Sequence, residues 1–239
     1  MIDESTKEKL RKLKVDEMID SLEGLDNTLR NEEISFDEKF KYLIDDTYQR
    51  KHNNTVRHLI KSAHFRYPAD ITDLKDIERR GISKCQITEL TTCNFIRSNT
   101  TLIIKGPVSS GKTWLTCALG KQACKLEYRT FYIRTPDLFE KVEIYGRQKM
   151  ITKLAKYPLL ILDEWLLYKM NDDQARFILE LLERRYDSKA TILATLFDPK
   201  EWYDQIDSGT TTIESILERT IRNCIQISLS DCNMRESRQ

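Results

Sequence analysis

Residues 102–114 read Leu102-Ile103-Ile104-Lys105-Gly106-Pro107-Val108-Ser109-Ser110-Gly111-Lys112-Thr113-Trp114, and this stretch decides the fold. Gly106 to Thr113 matches G-x-x-x-x-G-K-[ST]. The context gives that pattern physical meaning: the apolar run before it reads as a strand, and Leu115, Leu119 and Leu126 after it recur at helical spacing. Glycines let backbone N–H groups curl around phosphate oxygens, and a helix N-terminus adds positive potential there. Gly106 through Trp114 is thus the expected nucleotide-binding segment. Lys112 would neutralise the β- and γ-phosphates, and Thr113 Oγ would ligate Mg²⁺. ATP and Mg²⁺ are the expected cofactors.

Downstream, Leu159-Leu160-Ile161-Leu162 runs straight into Asp163-Glu164. Ligand sites of open α/β sheets lie at the carboxyl ends of the strands, where these two acids fall. Asp163 is the expected metal residue; Glu164 would orient or deprotonate an attacking water. A further strand ends at Thr195, whose hydroxyl can reach a γ-phosphate, whereas Leu196 cannot hydrogen-bond one. Arg219, Arg222, Arg235 and Arg238 follow, each either an ordinary surface residue or a group offered to the γ-phosphate.

Short apolar runs at 102–104, 131–133, 159–162, 192–194 and 225–227 alternate with helical segments, as strands buried on both faces of a parallel sheet do. The segment at Phe177, Ile178, Leu181 and Leu182 starts at Asp172-Asp173 and ends near Arg184-Arg185, charges that suit a helix dipole. The fold class is α/β, a parallel sheet flanked by helices over 101–239. Residues 1–67 read as a small all-helical N-terminal domain, with 68–100 as a connecting segment. Ser5 with Glu8, and Ser35 with Glu38, have capping-box spacing. The helix begun at Ser35 is expected to run to about Phe65, stopped by Tyr67-Pro68. Ser83 and Gln86 would cap a helix carrying Ile87, Leu90 and Phe95.

Composition sets limits on the whole. Lys plus Arg is 39 against 38 Asp plus Glu, a net charge of +1, which excludes a uniformly basic polymer and an acidic tail. No run approaches the roughly 18 apolar residues of a membrane span, and Met1 to Leu10 has no apolar leader core. The six Cys have spacings that suit neither a zinc clamp nor a disulfide framework, so a cytoplasmic protein is expected. Positive charge is nevertheless local: residues 47–67 hold five Lys/Arg, all three His and no acid. Arg50, Lys51, Arg57 and Lys61 form a candidate DNA-contacting stripe, or else a solvated face paired with acid elsewhere. Residues 141–156, with Arg147, Lys149 and Lys153 around Gly146, are a second candidate with the same two readings.

Taken together, the motifs resemble the IstB-like ATPases, transposition helpers of the AAA+ class related to DnaC helicase loaders. The resemblance spans nearly the whole chain, through Ser35-Phe36-Asp37-Glu38, Phe65-Arg66-Tyr67-Pro68-Ala69, Gly106–Thr113, Leu159–Glu164, Pro199–Trp202, Ser215–Arg219 and Asn233-Met234-Arg235. It implies an ATP hydrolase that forms a ring or spiral on double-stranded DNA, bends it and recruits a transposase. In that scheme Arg219 is an arginine finger for the next subunit, and Arg235 is a second sensor acting on its own nucleotide. Thr195 takes the first-sensor position, and the helical N-terminal domain serves assembly and partner contact. Two residues depart from the pattern: Ser109 replaces a usual Gly, a change the loop should survive because both outer glycines remain, and Leu196 replaces a polar residue, a change that implies slow or partner-dependent hydrolysis. The alternatives are a DnaC-like helicase loader and a nucleotide-gated DNA architectural protein with little hydrolysis.

Overall fold

A computed structural model describes residues 3–28, 35–74 and 78–231, and its contacts divide the chain into two compact units, Met1–His58 and Leu59–Gln239. The boundary falls within a helix, nine residues before the expected end of the helical domain at 67.

The first unit is built from α1 (Glu4–Lys12), α2 (Glu17–Thr28) and the start of α3 (Phe36–Ala63). Polar ties do much of the joining. Lys7 pairs with Glu23 at 2.8 Å, Lys51 Nζ donates to the Lys14 carbonyl at 3.1 Å, and Asn54 donates to Glu17 at 3.3 Å. Two sequence expectations need correction here. Asp3, not Ser5, caps α1, its carboxylate accepting the Thr6 N–H at 2.6 Å. Ser35 and Glu38 do make their reciprocal contacts, but α3 stops at Ala63, because His64 takes a left-handed φ of 58° before the proline is reached.

The second unit carries a five-stranded sheet, all parallel, in the order β2-β3-β4-β1-β5. The strands are β1 (Thr101–Lys105), β2 (Thr130–Arg134), β3 (Leu159–Trp165), β4 (Ala190–Thr195) and β5 (Cys224–Ser228), at the five apolar runs. Their side chains alternate between two cores. Leu102, Ile104, Tyr132, Ile161 and Ile192 face one, with α4 (Lys84–Thr91), α5 (Asn94–Arg97) and α6 (Lys112–Lys125). Ile103, Phe131, Ile133, Leu160, Leu162 and Leu193 face the other, with α7 (Thr135–Tyr145), α8 (Arg147–Leu154), α9 (Asp172–Arg185), α10 (Trp202–Gln205) and α11 (Thr210–Ile221). Burial on both faces is why the strands read as continuous apolar runs.

The Ser83–Gln86 capping box is present, but the expected single helix is two, α4 and α5, broken at Cys93 with φ 54°. Helix α9 has the expected acidic first turn and basic last turn, but Arg185 is not solvated. It is buried, and donates to the carbonyls of Leu154, Tyr157 and Ala190 and to Thr191 Oγ1. One guanidinium thereby ties the end of α9 to the chain entering β3 and β4.

Candidate nucleotide site

The loop between β1 and α6 has the shape its sequence requires. Ser109 and Gly111 take left-handed φ values of 66° and 90°, which fold the backbone into a concavity. A Cβ on Gly106 would lie 2.9 Å from both Leu229 Cβ and Ser110 Oγ, so only glycine fits. Helix α6 starts at Lys112 with no side-chain cap, leaving its first-turn N–H groups directed at the concavity. Ser110 Oγ is buried there without a hydrogen-bond partner among the described residues. Lys112 Nζ folds back on the carbonyls of Gly106 and Pro107, 2.7 Å from each. Burial lowers its pKa to about 8, against the opposing pull of Asp163. An uncapped helix start, an orphaned hydroxyl and a partly desolvated ammonium around one cradle fit a polyphosphate.

Next to it, β3 carries one extra residue. Leu162 pairs with Leu193 but Trp165 with Thr195, so three steps on β3 match two on β4. The bulge falls on Asp163 and Glu164, and Glu164 takes φ 55°. The two carboxylates therefore have different surroundings. Asp163 is buried; its Oδ2 accepts from the Tyr132 hydroxyl at 2.6 Å and its Oδ1 from the Glu164 N–H at 2.9 Å. Burial and the Asp163 charge push the Tyr132 phenol well above its usual range, so it stays a donor. Glu164 is clamped by two guanidiniums: Oε1 accepts from Arg66 at 2.8 Å, and Oε2 from Arg134 at 2.9 Å and 2.8 Å. Burial raises the Glu164 pKa, but the Arg134 and Arg66 contacts outweigh it and hold the group below the usual carboxylate range. The Thr113 hydroxyl and the Asp163 carboxylate are hard oxygen donors of the type Mg²⁺ takes alongside phosphate.

Arg66 owes its position to the chain just after α3. Phe65 packs edge-on against Tyr132 and over Gly120 of α6, where a Cβ would lie 2.5 Å from the ring. The Arg66 and Tyr67 amides also contact the buried Cys117 thiol, whose pKa burial pushes up to about 11.

A family model described as IstB-like ATP binding protein matches residues 8–239. The chain belongs to this family. An insertion sequence ATP-binding protein of Pseudomonas fluorescens is 31% identical over 231 residues, covering 94% of this chain and 95% of that protein. The crystal structure of DnaI superposes with a TM-score of 0.58 at 18% identity, over 74% of this chain and 92% of that one. The DnaC helicase loader gives 0.53 at 17%, over 68% and 97%. These likenesses show a shared AAA+ P-loop fold.

In this IstB-like chain the expected residues fall in several places. The segment from Gly106 to Trp114 meets Asp163 and Glu164 at the carboxyl edge of the sheet, with Trp114 partly buried and its ring 5.4 Å from the Arg80 guanidinium carbon. Thr195 ends β4 beside Lys105, fully buried, and its Oγ1 accepts the Phe197 N–H at 3.1 Å. Arg219 is elsewhere. It pairs with Glu183 and donates to the Ser215 carbonyl at 3.0 Å, lining a small recess with Thr101, Lys189 and Asn223 at the opposite edge of the sheet. Arg235 and Arg238 lie outside the described residues. Of the DNA candidates, Arg50 pairs with Asp46 at 2.7 Å and Arg147 with Glu180 at 3.2 Å, while Arg57 contacts Asn54 at 3.3 Å. Lys61 is exposed on α3, and Lys149 Nζ lies 5.6 Å from the centre of the Tyr145 ring.

Sequence reasoning missed Arg66, Arg134 and Tyr132. For Arg134 a signal existed: it ends a buried strand, so it sits at the ligand edge and pairs in register with Asp163.

Proposed function

We propose that this chain is an ATP hydrolase that assembles on double-stranded DNA in the cytoplasm and assists a transposase there. The observation that carries the hydrolase reading is the convergence of Lys112, Thr113, Asp163 and Glu164 at one sheet edge. Family membership, and relatives named for insertion sequences, support the transposition setting.

In this reading the concave loop and Lys112 hold the phosphates, and their N–H groups and ammonium take up charge as the terminal bond breaks. Thr113 and Asp163 would hold Mg²⁺, which supplies electrostatic stabilisation to the phosphates when bound. Glu164 orients the attacking water and receives its proton, which requires an oxygen released from the guanidinium clamp. Arg219 lies at the sheet edge away from its own loop, so it would serve the nucleotide of a neighbouring copy in a homo-oligomer. The residues up to 67 would carry assembly and partner contacts, with Arg50, Lys51, Arg57, Lys61, Arg147 and Lys149 as first candidates for DNA contact.

Helicase loading is the second reading, favoured by the likeness to the DnaC helicase loader. Affinity capture from cells carrying both partners separates the two. ATP-dependent copurification of a transposase supports the first reading; copurification of a replicative helicase without a transposase overturns it.

A further inference from the structure

Many cations of the second unit have carboxylate partners, Lys84, Lys105, Lys121 and Lys125 among them. Arg66, Arg134, Arg147, Arg176, Arg184, Arg219 and Arg222 all pair with carboxylates. Arg129, Lys149, Lys153 and Lys156 pair with none among the described residues, and these four converge. They line one open trough of about 660 Å³ with Gln148, Thr152 and Tyr157, and no acid among the described residues lines it. Aromatic faces, not carboxylates, support three of them. Arg129 lies 4.9 Å from the centre of the Tyr157 ring, Lys153 5.1 Å from Phe131 and Lys149 5.6 Å from Tyr145. A ring steadies a cation without cancelling its charge.

The trough is also braced from beneath. The buried Arg185 holds the Leu154 and Tyr157 carbonyls at 2.8 Å and 2.9 Å, fixing the turn that carries Lys156, and Arg129 Nη2 donates to the Lys156 carbonyl at 3.3 Å. Lys149 and Lys153 stand one turn apart on α8, about 6 Å along its axis. Two phosphate steps on one DNA strand rise about 7 Å. Single-strand sites present open aromatic faces to bases. Here Tyr157 is covered by Arg129 and packed on Phe131 at 5.1 Å, so the trough offers charge without a stacking platform. Arg129 precedes β2 and Tyr157 precedes β3, at the edge of the parallel sheet opposite the nucleotide loop.

We propose that this trough grips the sugar–phosphate backbone of duplex DNA without reading sequence. The proposal rests on the DNA-bound reading above and makes Arg129, Lys153 and Lys156 its main contacts along with Lys149.

The test is fluorescence anisotropy of the full chain with ATP and Mg²⁺ on a short duplex of arbitrary sequence, across a KCl series. Lys153→Gln with Lys156→Gln removes two charges and keeps the side-chain stems. Each lost phosphate contact removes about 0.9 from the log–log salt slope. The double variant is therefore expected to bind with a slope flatter by about 1.8, and about 60-fold more weakly near about 0.1 M salt. ATP affinity, governed at the other sheet edge, stays at the wild-type value and reports an intact fold; Arg129→Gln alone, expected to lose about 8-fold, serves if the double variant does not fold. Wild-type binding with unchanged affinity and slope in the variants overturns the trough assignment and leaves the DNA reading standing. That holds also if the variants instead lose capture of an acidic protein. A wild-type chain that binds no duplex at any salt overturns both.

Discussion

Lys112 offers a prediction whose size follows from the site. Its ammonium is partly buried against two neutral carbonyls, which brings its pKa to about 8 in the nucleotide-free chain. Bound phosphates favour the charged form, so binding ATP must first put a proton on any neutral Lys112. With a free-state pKa of about 8, about nine-tenths of the chains carry the charge at pH 7 and about one-tenth at pH 9. Provided phosphate holds the bound lysine charged throughout, ATP affinity falls about tenfold over that interval, or about 1.4 kcal/mol. The sign is fixed: a cation with a depressed free-state pKa binds an anion best at low pH and loses affinity as pH rises. The assay is a calorimetric ATP titration across the range. Lys112→Arg serves as the reference, because a guanidinium stays charged and carries any pH dependence of the nucleotide itself. A wild-type to Lys112→Arg affinity ratio that stays constant from pH 7 to 9 would refute the reasoning.

Other consequences are separate. Arg66→Ala removes one of the contacts that depress Glu164, so the acid limb of the pH–rate profile should move to higher pH. Because Arg66 is partly exposed, the basal rate should rise by at most about fivefold, the equivalent of about 1 kcal/mol; an unmoved acid limb counts against the clamp. Arg185→Met leaves the Leu154, Tyr157 and Ala190 carbonyls without their donor and should cost about 3 kcal/mol or more in denaturant unfolding; a wild-type midpoint would contradict its bracing role. Leu196→Asn should raise turnover if an apolar side chain after Thr195 limits hydrolysis, and a steady-state rate that barely changes would remove Leu196 from the account.

The sequence was most legible where one local rule decided the outcome. The five strands could be read because burial on both faces forces continuous apolar runs. The loop from Gly106 to Thr113 could be read because steric crowding at Gly106 and positive φ at Gly111 restrict the choice of residue. The acids at the end of β3 followed from the rule that ligands meet a parallel sheet at its carboxyl edge. What stayed hidden depended on long-range pairing. Arg66 and Glu164 are 98 residues apart, and the packing of Phe65 over Gly120 and against Tyr132 helps bring them together. Arg185 sat at the end of an amphipathic helix, where a charge is normally solvated, and its burial follows from the carbonyls of two other segments. The same pairing separated the basic residues. Arg50 and Arg147 looked like DNA contacts by charge alone, yet each has a carboxylate partner. Arg129 and Lys156, 27 residues apart and in no motif, line one trough.

The central claim is that Glu164 works on water at a site where Lys112, Thr113 and Asp163 hold ATP. Phosphate release by wild type and Glu164→Gln, each with and without duplex DNA, tests it most directly. The account predicts a wild-type rate that rises with DNA, and a variant that binds ATP with unchanged affinity yet releases almost no phosphate in either condition. Equal rates in the two proteins, with ATP still required for DNA binding, would make this chain a nucleotide-gated DNA binder and contradict the claim.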